Sequence, residues 1–269
     1  MVTYKLVFCD FDDTLVASGR AVGERTRRVI ADYREAGGTF VICTGRSRVS
    51  LEKRLAAVYG SAKGIPYICF QGGTIVDENG NELRHLTVSR DDIVRVSDEA
   101  VRAGYECAFH VGGEVYSERK TPVTENYAEL TGCPIIYDES GRSIARTFDG
   151  KFDKMMILAT PENRKYMEKL TGIPVTGSRF MFSGPTYLEL VPSESGKGGA
   201  VKFMTARMGF DRSDVAAFGD ADNDVDMLAE AGLPVAIRGG MPRCLAAARI
   251  IAAPASEEGV ADVLRMFIV

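Results

Sequence analysis

At 269 residues the chain exceeds the usual size of a single hydrophobic core, so it makes one large domain or two modest ones. Hydrophobic residues at 45% and charged residues at 26% are globular proportions and exclude a disordered chain. A formal net charge of -4 argues against nucleic acid as a partner, and no apolar run is long enough to span a membrane.

Met1 to Lys5 leads into an apolar run without a charged-then-apolar leader, which predicts a cytoplasmic protein. Leu6 to Phe8 reads as a buried strand. It runs into Cys9-Asp10-Phe11-Asp12-Asp13-Thr14-Leu15, where two carboxylates two residues apart project into the crevice at the strand's C-terminal end. Taken alone, that pattern also fits an acidic turn closing a strand. Val29, Ile30, Tyr33 and Ala36 then mark one face of a helix that Gly37-Gly38 can end. Thr39 to Cys43 is a second buried strand, stopping at Thr44-Gly45-Arg46, and Leu51, Leu55 and Val58 face one way on a second helix. Tyr67 to Phe70 gives a third strand ending at Gln71-Gly72-Gly73. Alternating strands and helices predict a parallel, Rossmann-like sheet with helices on both faces, and its strand-end clusters should share one edge.

From Thr74 the rhythm changes. Thr74 to Asp77 and Glu82 to Val88 flank Asn79-Gly80, which signals a hairpin, and a helix follows with Ser89 as N-cap and Ile93, Val96 and Ala100 inward. Strands at Tyr105 to His110, Glu114 to Ser117 and Asp153 to Ala159, a helical piece after Pro122, a helix over Pro161 to Thr171, and strands near Arg179 to Phe182 and Tyr187 to Val191 complete a mixed α+β insertion. At about 110 residues it is large enough for its own core. The predicted organisation is a core over 1–82 and 193–269, with 83–192 inserted. After the insertion, Val201, Met204 and Met208 mark a helix, Val215 to Phe218 a strand ending at Gly219-Asp220-Ala221-Asp222-Asn223-Asp224, and Leu233 to Ile237 and Ile250 to Ala252 two further strands.

Carboxylates, a hydroxyl, an amide and an ammonium therefore gather at strand ends: Asp10, Asp12, Thr44, Asp220, Asn223, Asp224, and Lys197 at a glycine-rich helix start. With only two histidines, a histidine-rich zinc site is nearly excluded, whereas carboxylates suit a hard cation such as Mg2+. Six scattered cysteines without a Cys-x-x-Cys pair read as small buried hydrophobes. The lysine stretch is not a Walker loop, because Val191 and Gly198 stand where Gly and Ser or Thr are needed. Asp220-x-Asp222-x-Asp224 is not an EF-hand loop, because Val225 replaces the turn glycine and Ala231 the last glutamate. No Gly-x-Ser-x-Gly elbow is present.

Asp10-x-Asp12-x-Thr14, Thr44-Gly45-Arg46, Lys197 and Gly219-Asp220-x-x-Asn223-Asp224, in that order, resemble the four motifs of the haloacid dehalogenase-like hydrolases, most closely the Cof-type sugar phosphatases. The resemblance covers the full length. Asp13 stands where the family usually has Gly, Gln71-Gly72-Gly73 where it has Asn-Gly-Ala, and Ala236-Ile237-Arg238-Gly239 where it has Ala-Met-Gly-Asn.

The resemblance implies a magnesium-dependent phosphatase of small phosphate monoesters, sugar phosphates above all, with an aspartyl-phosphate intermediate. Asp10 would be the nucleophile and Asp12 the acid and base, with Thr44 and Lys197 completing the catalytic set. The metal set would draw on Asp10, Asp12, Asp220 and Asp224, with the Asp12 contribution coming from its backbone carbonyl and Asp224 serving behind the direct ligands. Phe11, Thr44, Gly45, Arg46, Lys197 and Asn223 would meet the phosphate or substrate. The insertion would be a cap over the site, with Glu114, Tyr116, Arg119, Tyr187 and Glu189 as candidates for sugar hydroxyls. Asp12 favours a phosphatase or phosphomutase over a dehalogenase, because halide leaves without a proton. A phosphomutase and a catalytically silent phosphate-ester-binding protein are the alternatives. The expected partner is a small phosphorylated metabolite, without nucleic acid or membrane, acting on a monomer or weak homo-oligomer.

Overall fold

Four consecutive buried apolar residues are the pattern of a strand covered on both faces, and in the computed structural model Leu6, Val7, Phe8 and Cys9 form β1 (Leu6–Cys9). The structure describes residues 1–59, 64–138 and 140–269. The chain continues through α1 (Glu24–Glu35), β2 (Thr39–Cys43), α2 (Arg48–Tyr59), β3 (Tyr67–Cys69), β4 (Thr74–Val76) and β5 (Glu82–His85). It then passes through α3 (Arg90–Arg102), β6 (Glu106–Val111), β7 (Glu114–Ser117), α4 (Pro122–Thr131), β8 (Ile135–Tyr137), α5 (Ile144–Thr147), β9 (Phe152–Leu158), β10 (Ser178–Gly184) and β11 (Tyr187–Pro192). It ends with α6 (Lys197–Arg207), β12 (Val215–Gly219), α7 (Val225–Ala229), β13 (Leu233–Ile237), α8 (Pro242–Ala247), β14 (Ile250–Ala252) and α9 (Gly259–Arg265).

Two compact units result. The first comprises Met1–Gly45, Arg54–Arg84 and Gly196–Val269. Its sheet has the order β14-β13-β12-β1-β2-β3-β4-β5. The pairs from β14 to β3 are parallel, so the predicted parallel sheet forms and the ends of β1, β2, β3 and β12 share one edge. Leu6 and Phe8 pack with Val201 and Met204 of α6 and Met227 and Leu228 of α7. Val7 alternates to the opposite face and is equally buried, and elsewhere in the unit α1 and α9 pack together. Leu51 and Leu55 of α2 are buried as predicted, whereas the side chain of Val58 lies outside the described residues.

The second unit comprises Arg46–Lys53 and His85–Ser195. Its sheet has the order β10-β11-β9-β6-β7-β8. One core joins Ile93, Val96 and Ala100 of α3 to Phe109, Met155, Ile157, Leu188 and Leu190 of the sheet. A second joins Tyr127 of α4 to Ala108, Met156 and Leu158, the alternate positions of the same strands. Ser89 caps α3 by accepting from the Asp92 amide at 3.2 Å.

Three details depart from the sequence reading. β8 and α5 were not legible, each being only three or four residues long. The segment read as a helix over Pro161 to Thr171 is a 3-10 run over Arg164–Gly172, and its buried residues Met167 and Leu170 are three apart, the period of that tighter helix. The third strand stops at Cys69, because Phe70 and Gln71 both turn left-handed, at φ 51° and 55°.

Candidate active site

β1 delivers Asp10 to the sheet edge, where its amide still bonds the Phe218 carbonyl of β12 at 2.9 Å. Beyond it the chain folds into a tight turn: the amides of Leu15 and Val16 both bond the Phe11 carbonyl, at 3.2 and 2.9 Å. Phe11 is buried, Asp12 is exposed, and Asp13 takes a left-handed φ of 60°. Thr14, fully buried, donates to Asp220 Oδ1 at 2.7 Å and so ties the turn after β1 to the turn after β12.

The centre of the site is Lys197, the first residue of α6 and 1% exposed. Its ammonium lies 2.5 Å from Asp10 Oδ1 and 2.6 Å from Asp224 Oδ1. The second oxygen of Asp224 accepts from the Asp220 and Ala221 amides, both at 3.0 Å, so this buried carboxylate is fully engaged. Gly219 makes that arrangement possible: a Cβ there would stand 2.4 Å from Asp224 Cβ. Burial disfavours the Lys197 ammonium, but the Asp10 and Asp224 carboxylates outweigh it and hold the lysine well above its ordinary pKa. Burial also drives the Asp10 carboxyl upward, against the pull of the adjacent ammonium. The Asp220 carboxyl is pushed up to about 6, chiefly by burial, with the Thr14 hydrogen bond opposing and Asp224 reinforcing.

Carboxylate oxygens of Asp10, Asp220 and Asp224 lie within 4.8 Å of one another. Three carboxylates against one ammonium leave two negative charges uncompensated, which a divalent cation would offset. The donors are all hard oxygens, the set that Mg2+ or Ca2+ prefers. The Asp12 carboxylate is outside this trio.

Of the other residues named from the sequence, Thr44, Gly45 and Asn223 belong to the same unit as this centre. Thr44 is 1% exposed, its amide bonding the Ile68 carbonyl and its carbonyl receiving the Gln71 amide, at 2.9 and 3.1 Å. Gly45 packs directly against the Gln71 side chain, where a Cβ would stand 2.4 Å from Gln71 Nε2. Asn223 donates from Nδ2 to Gln71 Oε1 at 3.1 Å. Arg46 belongs to the second unit and donates to Ser50 Oγ at 3.3 Å. Of the candidates for sugar hydroxyls, Tyr116 donates to Glu114, Arg119 pairs with Glu106 at 3.0 Å, and Asn126 donates to Tyr187 at 3.4 Å. Glu189 is buried, 2.9 Å from the Lys154 ammonium. Two residues escaped the sequence reading. Thr14 stood inside the first motif without a role, and its spacing from Asp12 was the available signal; Gln71 stood out only as a departure from the family pattern.

Fold and site together define an α/β enzyme with a carboxylate-rich centre at the C-terminal edge of a parallel sheet. The chain belongs to the haloacid dehalogenase-like hydrolases, whose family model matches residues 7–264. It is 26% identical over 279 residues to "Putative phosphatase M6_Spy0533" of Streptococcus pyogenes serotype M6, covering 99% of both chains. It is also 26% identical over 272 residues to "Putative phosphatase YxeH" of Bacillus subtilis, covering 97% of both. The fold matches the crystal structure of TM0651 from Thermotoga maritima with a TM-score of 0.87 at 23% identity, over 98% of this chain and 97% of that one.

Proposed function

We propose that the protein is a Cof-type, magnesium-dependent phosphatase of small phosphate monoesters, sugar phosphates foremost. The observation that carries this reading is the buried Lys197 ammonium held between Asp10 and Asp224, with Asp220 beside them and two negative charges left over. Family membership and the two relatives named as phosphatases point the same way. Six buried free thiols fit a reducing, cytoplasmic setting, and no helix among the described residues is long and apolar enough to cross a membrane.

Asp10, Asp220 and the Asp12 carbonyl would hold Mg2+; the bound ion would supply positive charge against the repulsion between a phosphate dianion and the attacking carboxylate. Asp224 serves differently: with both oxygens engaged, it anchors Lys197 rather than the ion. Asp10 attacks phosphorus in line and breaks the ester P–O bond, giving an aspartyl-phosphate. Exposed Asp12 protonates the leaving alkoxide, then takes a proton from the water that hydrolyses the phosphoryl-enzyme. Lys197, Thr44 and the amides around Phe11 and Gly45 stabilise the charge spreading over the phosphoryl oxygens. A panel of phosphate esters assayed for released phosphate, with Mg2+ and with excess chelator, tests the reading. Release from sugar phosphates that stops with chelator is expected; chelator-insensitive release, or none from any ester, would overturn it.

A further inference from the structure

The sheet order β12-β1-β2-β3 places the end of β12 three strand positions from the end of β3, about 14 Å at the usual strand spacing. Yet Asn223, in the turn after β12, reaches Gln71, in the turn after β3, with a 3.1 Å hydrogen bond. The bond therefore bridges the sheet edge past the ends of β1 and β2, the strands that deliver Asp10 and Thr44.

The turn bearing Gln71 is built for close approach on several sides. Phe70 and Gln71, both non-glycine, are left-handed in succession, an arrangement that costs free energy and needs tertiary contacts to hold it. Gln71 is 5% exposed and its amide bonds the Thr44 carbonyl at 3.1 Å. Its side chain covers Gly45, and the next residue, Gly72 at φ 95°, lies against the backbone of Gly196, where a Cβ would stand 2.2 Å from the Gly196 carbonyl oxygen. One turn thus touches three others: Thr44-Gly45, Gly196 before Lys197, and Asn223 before Asp224.

We propose that Gln71 is a positioning residue for phosphate binding: its bridge to Asn223 and its cover over Gly45 fix the spacing between the turns that receive the phosphoryl group. The inference rests on the proposed phosphatase reading and deepens it. Gln71 acts through Thr44, Gly45 and Asn223, and it makes no hydrogen bond to Asp10 or Asp220 among those described. Phosphate affinity should therefore respond to Gln71 while metal affinity does not.

The test compares the wild-type chain with Gln71→Leu, Gln71→Asn, and Gln71→Asn combined with Asn223→Gln, each assayed with nitrophenyl phosphate, orthovanadate and Mg2+. Gln71→Leu should raise KM and the vanadate inhibition constant about tenfold, the size of one lost buried hydrogen bond, with Mg2+ affinity within about twofold of wild type. Gln71→Asn shortens the bridge and should weaken vanadate similarly; adding Asn223→Gln restores its length and should recover most of the loss. If Gln71→Leu fails to fold, the length-swapped pair decides alone. Wild-type vanadate affinity in Gln71→Asn, no recovery in the swapped pair, or a parallel loss of Mg2+ affinity would overturn the inference while an active wild type left the phosphatase reading standing. A wild type that neither hydrolyses the ester nor binds vanadate would overturn both.

Discussion

Each unit buries a lysine against carboxylate, one in a three-carboxylate cluster at a sheet edge and the other in an ion pair inside a sheet. In the first unit Lys197 lies between Asp10 and Asp224 with Asp220 close by, so negative charge is in excess at a sheet edge. In the second, Lys154 and Glu189, 6% and 4% exposed, meet at 2.9 Å inside the sheet. His110 sits opposite Lys154 in the β6–β9 register and bonds Tyr127 at 2.8 Å. Burying charge is unfavourable unless it is compensated. The second cluster sets its lysine directly against a buried carboxylate. The first stays unbalanced until something positive arrives, which is the property of a binding site.

The largest expected difference comes from removing each lysine's charge relationship. Lys197→Met leaves the Asp10 and Asp224 carboxylates buried without their counter-charge; it should lower turnover by at least about 10³-fold and stability by about 3–5 kcal/mol, read by ester hydrolysis and urea denaturation. In the second unit, Glu189→Leu alone should cost about 3 kcal/mol. Lys154→Met with Glu189→Leu should come back to within about 1 kcal/mol of wild type, because apolar replacement of both partners of a buried ion pair is often nearly neutral. A double variant as unstable as the single one would erase the distinction between the clusters.

Asp220→Asn sharpens the comparison from the other side. Removing one of the excess carboxylates should weaken Mg2+ binding about 10- to 100-fold by calorimetry while the fold persists. Because burial pushes the Asp220 carboxyl up to about 6, protons should compete with the ion, and wild-type Mg2+ affinity should fall as pH drops below that value. Affinity independent of pH between 5 and 7.5 would argue against Asp220 as a ligand.

The smallest effect belongs to His110. Burial, with Lys154 adding repulsion, holds its pKa well below the ordinary histidine value, so the folded state keeps it neutral. The unfolded chain takes up a proton below about pH 6.5 while the folded chain does not, so stability is retained above that pH and declines as pH falls toward the depressed value. The slope from this one group is at most about 1.4 kcal/mol per pH unit. His110→Asn should flatten that part of the stability profile; an unchanged slope would show that other groups set it.

Much of the site was legible because its residues lie at strand ends, where hydrophobic runs give way to Asp10, Thr44 and Gly219-Asp220, and sheet topology alone brings those ends together. Lys197 was legible only through its place in the order of motifs, since a lysine at a helix start is by itself more often solvated. The Asn223–Gln71 bridge was not, since it joins residues 152 apart through a pair of left-handed residues that no local pattern announces. Likewise the engagement of Glu189 by Lys154 depends on strand register, which pairs β9 with β11 across an intervening segment whose 3-10 turn was read as an ordinary helix. Short elements such as β8 carry too few residues to display a period.

The central claim is that Asp10 becomes phosphorylated and that Asp12 serves both halves of the reaction. Asp12→Asn separates them, because a nitrophenolate leaves without a proton whereas a sugar alkoxide needs one, and water must be activated in either case. Rapid mixing of Asp12→Asn with nitrophenyl phosphate and Mg2+ should release a burst of nitrophenol and then stall, with peptide mass mapping locating the phosphoryl group on Asp10; a sugar phosphate should give almost no burst. Turnover of both substrates at the wild-type rate, with no phosphoryl group on Asp10, would contradict the account.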